Sequence, residues 1–596
     1  MSQYTYQPLA YDDSIRILIL EPGERQELIQ SCLVPMRLSE KPEYDAISYV
    51  WGNDEPIHEI FIDGQKAMIR TNLYSALLRF RRSPEINGSQ EASNRNLQRR
   101  LWADALCINQ ADILERNQQV QSMKLVFAQA RSVLIWLRES VESDRLAFDM
   151  FKIAQGIAWS RVRITKGEAK RFGRAISSHR FQRNTWTAVG DVFKCAWFKR
   201  IWVLQELVVA DNPLVICGEY ETTWAALSAT AYAVLRNMIT DSEGKVVGMG
   251  IYNTNLRIWY SKLHNMQVIR VRHFQNKQLT LYELLYATHQ LASSEPVDKI
   301  YALRGLLKEE EASSLKVDYA LEASEVFELA TRDMLSRGPH PFTLLALVST
   351  FPSAPISTSS PSWVPNYSGL TTAYVRIFTR AKTYRASGQA RSQISFTELN
   401  QKILCLSGHI VDKVSHCLSW KYLNPLTIEE SAQWYQKCQQ YVLQTDHYPT
   451  GEDIFSCWWR LLVCDMCNNS FANIRAAEGF KSRYLDPKLS DFMTNPTRLE
   501  GDNTLRNAQD TYRVTVYDTS AGASLCRTAK GYLAWIPPQA HSGDYICIFA
   551  GATCPFVVRE RPEGDYTLVG DAYVHGMMYG EALDFEGFKW DEIRIH

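Results

Sequence analysis

The sequence lacks a surplus of charge of either sign, and it lacks any long hydrophobic run. Lysine plus arginine and aspartate plus glutamate both number 65, so the formal net charge at pH 7 is zero. Proteins that bind nucleic acids or anionic lipid surfaces usually carry a basic excess, so we predict neither partner. No apolar stretch approaches the roughly 20 residues that a helix needs to cross a bilayer, and we therefore predict no membrane span.

Cysteine is present, but its spacing does not match the common zinc frameworks. The 13 cysteines are scattered along the chain. The pair Cys464 and Cys467 has neither a second pair at zinc spacing nor evident histidine partners. The sequence therefore predicts no metal centre. The odd cysteine count and the lack of a signal-peptide pattern favour reduced thiols and a cytoplasmic location.

The short motifs of several large enzyme classes are also missing. The chain has no Gly-x-Ser-x-Gly turn, no P-loop, no His-Glu-x-x-His motif and no kinase signature. Gly248 and Gly250 lack the third glycine of a dinucleotide-binding fingerprint. The sequence thus predicts none of these activities and no resident cofactor.

A chain of 596 residues is too long for one hydrophobic core. We predict an α/β domain over residues 1–225, with a mainly parallel sheet flanked by helices. A mainly helical region follows over residues 226–400, and a mixed α/β region over residues 401–524. Short apolar runs separated by Ser-Gly-Asp, Gly-Ala and Glu-Gly-Asp turns predict a small separate β-domain over residues 525–596.

The most informative stretch is residues 101–137. Two mostly apolar runs, residues 101–106 and 132–137, predict buried strands. Between them, Asp112 followed three positions later by Glu115 resembles a capping box and predicts a helix that begins just after the aspartate. A strand, a helix and a strand over this length predict a βαβ unit with two parallel strands.

Polar side chains cluster near the predicted strand ends. Asp104 and Asn109 lie at or just past the end of the first strand of this unit, and Arg116 follows on the first turn of the helix. Ser48 and Trp51 lie at the end of another predicted strand. Because open α/β sheets bind ligands at the carboxyl ends of their strands, these residues are candidate binding residues. The alternative is that those of the βαβ unit cap the helix and solvate its surface.

A further candidate lies on a compact helix predicted over residues 197–209. Trp202 and Glu206 are four positions apart and share one helix face, and Arg200 lies near the start of the helix. A buried glutamate needs a partner, because burial of an unpaired charge is costly. A carboxylate, an aromatic ring and a cation are thus available together for a ligand. Alternatively, Glu206 is a structural residue paired with Arg200.

Three blocks with ordered spacing carry a family resemblance: YDAISYVWG at residues 44–52, LWADALCINQADILERNQQVQSM at 101–123 and RIWVLQEL at 200–207. Together they resemble the heterokaryon incompatibility (HET) domain of filamentous fungi. The segments PVDKIYALRGL, PSWVPNY and YVHGMMYGEA also resemble segments that recur in full-length members. The resemblance implies a fungal protein of self/non-self recognition, whose activation triggers programmed cell death when incompatible hyphae fuse.

HET domains in turn resemble TIR domains, and this more distant resemblance carries the chemistry. YDAISY resembles a TIR first strand. WVLQEL is similar to the TIR pattern Trp-Cys-x-x-Glu-Leu, with Val203 in place of the cysteine. Many TIR domains cleave NAD with that glutamate. The resemblance therefore implies Glu206 as the catalytic carboxylate and NAD as a substrate rather than a cofactor.

We accordingly expect Glu206 to share one cleft with the candidate substrate-binding residues, which are Ser48, Trp51, Asp104, Asn109, Arg116, Arg200 and Trp202. The alternative function is a non-catalytic signalling module that acts by self-association, as TIR adaptors do. Under either hypothesis an activating protein partner is expected, and the sequence does not identify it.

Overall fold

The computed structural model divides the chain into two compact units, Met1–Glu322 and Ala323–His596. The residues that the structure describes are 4–81, 98–155, 183–235, 254–338, 341–350, 360–369, 383–397, 402–419, 428–445, 447–469, 472–475 and 522–596. Within these ranges, no helix combines the length and the hydropathy needed to span a membrane.

The first unit is built on one nine-stranded sheet. Its strands are β1 (Ser14–Leu20), β2 (Gln30–Arg37), β3 (Asp45–Tyr49), β4 (His58–Ile62), β5 (Gln65–Ile69), β6 (Arg99–Trp102), β7 (Ser132–Trp136), β8 (Pro213–Cys217) and β9 (Tyr220–Thr223). Across the sheet their order is β5-β4-β2-β1-β6-β3-β7-β8-β9.

Along the sequence, the described helices of this unit lie between the strands or follow the last of them. They are α1 (Thr71–Phe80), α2 (Asp104–Cys107), α3 (Ile113–Gln129), α4 (Asp144–Gln155), α5 (Arg183–Phe193), α6 (Trp202–Val208), α7 (Trp224–Leu235), α8 (Thr254–Phe274), α9 (Leu281–Thr288), α10 (Asp298–Arg304) and α11 (Glu309–Ser314). The first unit is therefore an α/β structure, as the sequence predicts.

The prediction of a mainly parallel sheet is wrong, because the sheet is mixed. The pairs β1–β2, β1–β6, β4–β5 and β8–β9 are antiparallel. The pairs β2–β4, β3–β6, β3–β7 and β7–β8 are parallel. Three of the antiparallel pairs join consecutive strands through short links, which only antiparallel neighbours allow.

The parallel pairs at the centre form one continuous block, β6-β3-β7-β8. Numbered by their order along the chain, the four strands follow the sequence 2-1-3-4 across the block, because β3 comes first in the chain and β6 second. This is the strand order of a doubly wound sheet. The predicted βαβ unit is present as β6, α3 and β7, but its two strands are not neighbours. Both pair with β3, which lies between them. Their carboxyl ends therefore meet at one edge of the sheet, beside the end of β3.

Strand β6 is shorter than predicted, because the chain turns into α2 at Asp104. The Asp104 carboxylate accepts a hydrogen bond from the Ala105 N–H at 2.8 Å, and the Cys107 N–H bonds the Ala103 carbonyl at 2.8 Å. These local bonds stabilise a helical turn where the sequence predicts continued strand. Strand β7 is interior and buried over its last four residues, as predicted.

The second unit contains strands β10 (Ile394–Phe396), β11 (Leu404–Leu418), β12 (Met466–Asn469), β13 (Ala472–Arg475), β14 (Ser524–Thr528), β15 (Leu533–Ile536), β16 (Tyr545–Phe549), β17 (Phe556–Glu560), β18 (Tyr566–Asp571), β19 (Tyr573–Val574) and β20 (Asp591–Ile595). Its described helices are α12 (Ala323–Arg337), α13 (Pro341–Leu345), α14 (Ile428–Val442) and α15 (Ile454–Leu462).

The 15-residue strand β11 organises this second unit. It pairs with β20 along its first part, with β16 along its middle and with β14 along its last part. The pairing of β11 with β16 closes the series β16-β17-β18-β20-β11 into a ring, so this part is barrel-like. The sheet thus includes β10 and β11, which lie before the small β-domain expected over residues 525–596.

Candidate functional site

The short helix α6 holds Glu206 inside the first unit. Six of its seven residues are buried, from Val203 to Val208, because the helix is apolar almost all round. The helix is shorter than predicted: a 3-10 turn over Ala196–Lys199 precedes it, and α6 itself begins at Trp202. Glu206 is 3% exposed, and its carboxylate therefore needs partners within the protein.

The direct partner of Glu206 is Ser48, near the carboxyl end of β3. The Ser48 hydroxyl donates a hydrogen bond to Oε2 of Glu206. Trp197 Nε1 in turn donates to Ser48 Oγ at 2.7 Å. Because an indole N–H can only donate, the serine oxygen accepts from the tryptophan, and the serine hydrogen is directed to the carboxylate. The side chains of Trp197, Ser48 and Glu206 thus form a buried hydrogen-bond network with a fixed direction.

This setting changes the acidity of Glu206. The pKa of Glu206 is raised to about 7, chiefly by burial and to a smaller extent by the negative charge of Asp104, although the charge of Arg200 and the Ser48 hydrogen bond lower it. A carboxyl group with a pKa near neutrality populates both the acid and the carboxylate at physiological pH. Residues with strongly shifted pKa values in or near clefts are candidate functional groups.

Arg200 and Asp104 complete the surroundings of Glu206. The Arg200 guanidinium donates to the Tyr49 carbonyl at the end of β3, and its charge lowers the pKa values of both Glu206 and Asp104. Trp51 Nε1 donates to Asp104 Oδ2 at 2.8 Å. Burial nevertheless leaves the Asp104 pKa above its usual value. The structure therefore brings Ser48, Trp51, Asp104, Arg200 and Glu206 together at the carboxyl ends of β3 and β6.

Trp202 belongs to a neighbouring cluster around Asp298, the first residue of α10. Tyr319 donates from its hydroxyl to Asp298 Oδ1 at 2.7 Å. Burial raises the pKa of Asp298 to about 6, while hydrogen bonds to Trp202 and Tyr319 and the charge of Arg200 lower it. Arg200 thus acts on Asp298 as well as on Glu206 and Asp104, so the two clusters share one electrostatic environment.

Arg116 and Asn109 are placed differently from each other. The Arg116 guanidinium lies 3.7 Å from the centre of the Tyr319 ring, a cation–π contact that joins it to the Asp298 cluster. The Asn109 backbone N–H donates to Glu115 Oε1 at 2.7 Å, and the Asn109 side chain accepts from Ala111 at 3.3 Å. The contacts of Asn109 are therefore local, and the structure does not bring it to Glu206.

A cleft of about 400 Å³ opens at the same edge of the sheet. Its lining residues are Val50, Gly52, Asn72, Leu137, Arg138, Asp191, Lys194, Cys195 and Ala196. The eight residues predicted for the site all lie in the described chain, and none of them lines this cleft. However, the cleft includes the residues on both sides of Trp51 and the residue before Trp197. It therefore adjoins the hydrogen-bond network of Trp197, Ser48 and Glu206.

Comparison with known proteins identifies two regions of the chain. The family model "Heterokaryon incompatibility protein (HET)" matches residues 44–206, from the residue before β3 to Glu206 itself. A second model, "Het-6 beta-barrel domain", matches residues 491–588. The chain therefore contains a heterokaryon incompatibility (HET) domain. All eight predicted site residues lie within the HET match, whereas Asp298 and Tyr319 lie beyond it.

A relative that aligns over almost its full length supports this assignment. The chain is 23% identical to "Heterokaryon incompatibility protein 6, OR allele" of Neurospora crassa over 672 aligned positions, which cover 98% of this chain and 96% of the relative. No solved structure matches the chain.

Three residues that contact the predicted ones are not among the residues predicted from the sequence. Trp197 carried no signal beyond its place in an apolar segment. Asp298 stands in PVDKIYALRGL, where a carboxylate among apolar helix residues already requires a buried partner. Tyr319 carried no local signal, because only the fold brings it to Asp298 and Arg116.

Proposed function

We propose that this chain acts in heterokaryon incompatibility by cleaving NAD, with Glu206 as the key carboxylate. The HET domain supports the role in incompatibility and non-self recognition. The observation that carries the catalytic proposal is the Glu206 carboxylate, which is oriented by Ser48 and lies near Arg200 and Asp104 at the carboxyl ends of parallel strands.

The reaction needs only one well-placed carboxylate. The bond between ribose C1′ and the nicotinamide nitrogen breaks, and its electron pair goes to that nitrogen, so nicotinamide leaves as a neutral molecule. The positive charge develops on the ribose as an oxocarbenium ion, as in glycoside hydrolysis. Water then adds to C1′ and releases a proton, which leaves ADP-ribose. Ionised Glu206 would stabilise the developing positive charge.

The neighbouring residues fit the remaining requirements. Arg200 supplies a cation for the pyrophosphate, since guanidinium groups form strong hydrogen bonds with phosphate oxygens. Trp51 supplies an aromatic ring beside Asp104. Glu206 is 3% exposed and Ser48 is 1% exposed. NAD must therefore enter from the adjoining cleft as the hydrogen-bond network of Trp197, Ser48 and Glu206 opens. In this proposal, activation by a partner drives that opening.

The proposal is tested by measuring NAD, nicotinamide and ADP-ribose with purified protein and in cells that express it. We expect Glu206→Gln, which keeps the shape and removes the charge, to lower the cleavage rate roughly 100-fold or more, as loss of one electrostatic stabiliser does. Ser48→Ala should lower the rate less, because it disorients the carboxylate but leaves it in place. Glu139→Gln is the matched control, since the same change at an exposed glutamate should leave the rate unaltered. A folded Glu206→Gln protein that cleaves NAD at the wild-type rate would end the catalytic proposal.

The burial of Glu206 and Ser48 also favours a second candidate function. Because these residues are almost fully buried and do not line the cleft, a module that signals by self-association, without catalysis, is the alternative. In that case activated protein should form oligomers, measured by size-exclusion chromatography with light scattering, and should remain toxic as Glu206→Gln. Cellular NAD should then stay constant while the cells die, whereas the catalytic proposal requires NAD to fall first.

A further inference from the structure

The second unit contains a buried cluster of side chains that are typical metal ligands. Glu452, Cys457 and His575 each point one ligand atom to the same place, and these atoms all lie within 4.8 Å of one another. The Glu452 Oε2 atom is 2.8 Å from His575 Nε2 and 3.7 Å from Cys457 Sγ. His575 is 6% exposed and Cys457 is fully buried. The cluster lies entirely outside the HET match.

Local structure explains why these three residues meet. Glu452 directly precedes Asp453, the residue that caps α15, and Cys457 lies in the first turns of that helix. His575 follows β19 and is succeeded by Gly576, which has a φ of +87°. A Cβ atom at Gly576 would lie 2.7 Å from Thr450 Cγ2. Only glycine therefore allows the turn that carries His575 to approach the segment that carries Glu452.

A second layer of polar groups fixes the orientation of the cluster. His575 Nδ1 is 2.9 Å from the Tyr573 hydroxyl, which leaves Nε2 directed at Glu452. The other oxygen of Glu452 is 3.1 Å from Nε of Arg460. Arg460 in turn pairs with Asp465 at 2.6 Å. Metal-binding histidines are usually held in this manner, with the second ring nitrogen bonded to a further polar group.

The geometry points to a zinc site: we propose that Glu452, Cys457 and His575 bind one Zn²⁺ ion. Around tetrahedral zinc, with ligand distances of about 2.0 to 2.3 Å, the sulfur–oxygen and nitrogen–oxygen separations are roughly 3.5 and 3.3 Å. The separations here, 3.7 and 2.8 Å, differ from these by about half an ångström or less. Thiolate and imidazole ligands together favour zinc over magnesium or calcium. Three protein ligands leave the fourth position to water.

The charges of the cluster also balance. On binding, the Cys457 thiol releases its proton to solvent, and neutral His575 binds through Nε2, which replaces the hydrogen bond to Glu452. One thiolate and one carboxylate then neutralise Zn²⁺, while Arg460 and Asp465 neutralise each other. The alternative is a metal-free cluster in which His575 and Glu452 simply form a buried hydrogen bond. The ion would link the turn after β19 to α15 and so stabilise the second unit.

The test uses the full-length protein and zinc alone. After dialysis against trace zinc, elemental analysis should give about one zinc per chain for the wild type. Cobalt substitution should give the visible absorption of a tetrahedral site and a thiolate-to-metal charge-transfer band, and this readout needs no variant. Cys457→Ser and His575→Gln should both lose the bound zinc and the rise in melting temperature that zinc produces. Tyr573→Phe should weaken zinc binding roughly 10- to 100-fold, because it removes only the orienting hydroxyl.

Two cysteine controls separate this site from other thiols. Cys438→Ser alters another fully buried thiol of the same unit, in α14, and should bind zinc like the wild type. Cys464→Ser removes one member of the Cys-x-x-Cys pair and should also retain the ion. The proposal is overturned if the wild type binds no zinc and gives no cobalt spectrum, if folded Cys457→Ser retains zinc, or if Cys464→Ser loses it.

Discussion

Glu115 and Glu206 are buried carboxylates of the first unit that lie in very different surroundings. Glu115 on α3 is 9% exposed and receives two hydrogen bonds from Arg16, at 2.6 and 2.9 Å, and one from the Asn109 N–H at 2.7 Å. Glu206 on α6 is 3% exposed and receives a hydrogen bond from the Ser48 hydroxyl, while the cation Arg200 acts from farther away. One carboxylate is paired with a cation through a planar, two-bond contact, and the other is not.

This difference separates a structural role from a candidate catalytic one. The guanidinium of Arg16, itself 2% exposed, offsets the cost of burying Glu115 and joins β1 to α3. Glu206 retains a large burial cost, which appears as a pKa of about 7. A protein that keeps an incompletely compensated buried acid beside a cleft has a reason other than stability for doing so. The comparison therefore supports Glu206, and not Glu115, as the chemically active residue.

The largest expected effect comes from breaking the Arg16–Glu115 pair. Glu115→Ala should destabilise the first unit by about 3–5 kcal/mol, because it leaves the Arg16 charge buried without its partner. Urea denaturation, followed by circular dichroism, measures the loss. The double variant Arg16→Met with Glu115→Leu is the control, and it should recover much of the stability since no unpaired charge remains. A loss below about 1 kcal/mol for Glu115→Ala would contradict the structural role.

The second effect is the contribution of Glu206 to the pH dependence of stability. The folded-state pKa of about 7 exceeds the usual value of 4.5, so the folded protein holds more protons than the unfolded chain between these pH values. Stability therefore falls as the pH rises from about 4.5 to about 7 and then levels off. Glu206→Gln lacks this loss. Between pH 4 and pH 8, the free energy of unfolding of Glu206→Gln should therefore rise by about 3 kcal/mol relative to that of the wild type.

Denaturation of both proteins at several pH values isolates this effect, because titrating groups distant from Glu206 contribute equally to each and cancel in the difference. Glu139→Gln, at a side chain that is 47% exposed, serves as the control for the same substitution outside the site. A stability difference between Glu206→Gln and the wild type that stays constant from pH 4 to pH 8 would show that Glu206 ionises normally, and the contrast with Glu115 would disappear.

The smallest effect concerns how the two helices are held. Asp112 caps α3 by accepting from the Leu114 and Glu115 N–H groups at 3.0 and 3.1 Å, whereas α6 has no side-chain cap at Ile201. Asp112→Ala should therefore cost about 1 kcal/mol in the unfolding free energy. It should leave NAD cleavage unchanged, because α3 positions Glu115 rather than Glu206. A loss of cleavage out of proportion to the loss of stability would indicate that the two regions are coupled.

Much of the local structure could be predicted from the sequence. The apolar run at residues 132–137 is a buried interior strand, β7. Asp112 begins α3 as expected, although Glu115 does not complete a capping box, since Arg16 binds its carboxylate instead. The position of Ser48 at a strand end was also readable from the sequence. These features depend on hydrogen bonds and burial within a few residues, so the local pattern contains the information.

The sequence by itself therefore determined the HET resemblance, the α/β character of the first unit and the β character of the last part of the second. The tertiary structure decided that β3 lies between β6 and β7, that Ser48 meets Glu206 across 158 residues of chain, and that Arg16 meets Glu115 across 99. It likewise decided that His575 reaches Glu452. The physical reason is that strand order and side-chain partnership depend on packing between distant segments, which no local pattern of apolar and polar residues specifies.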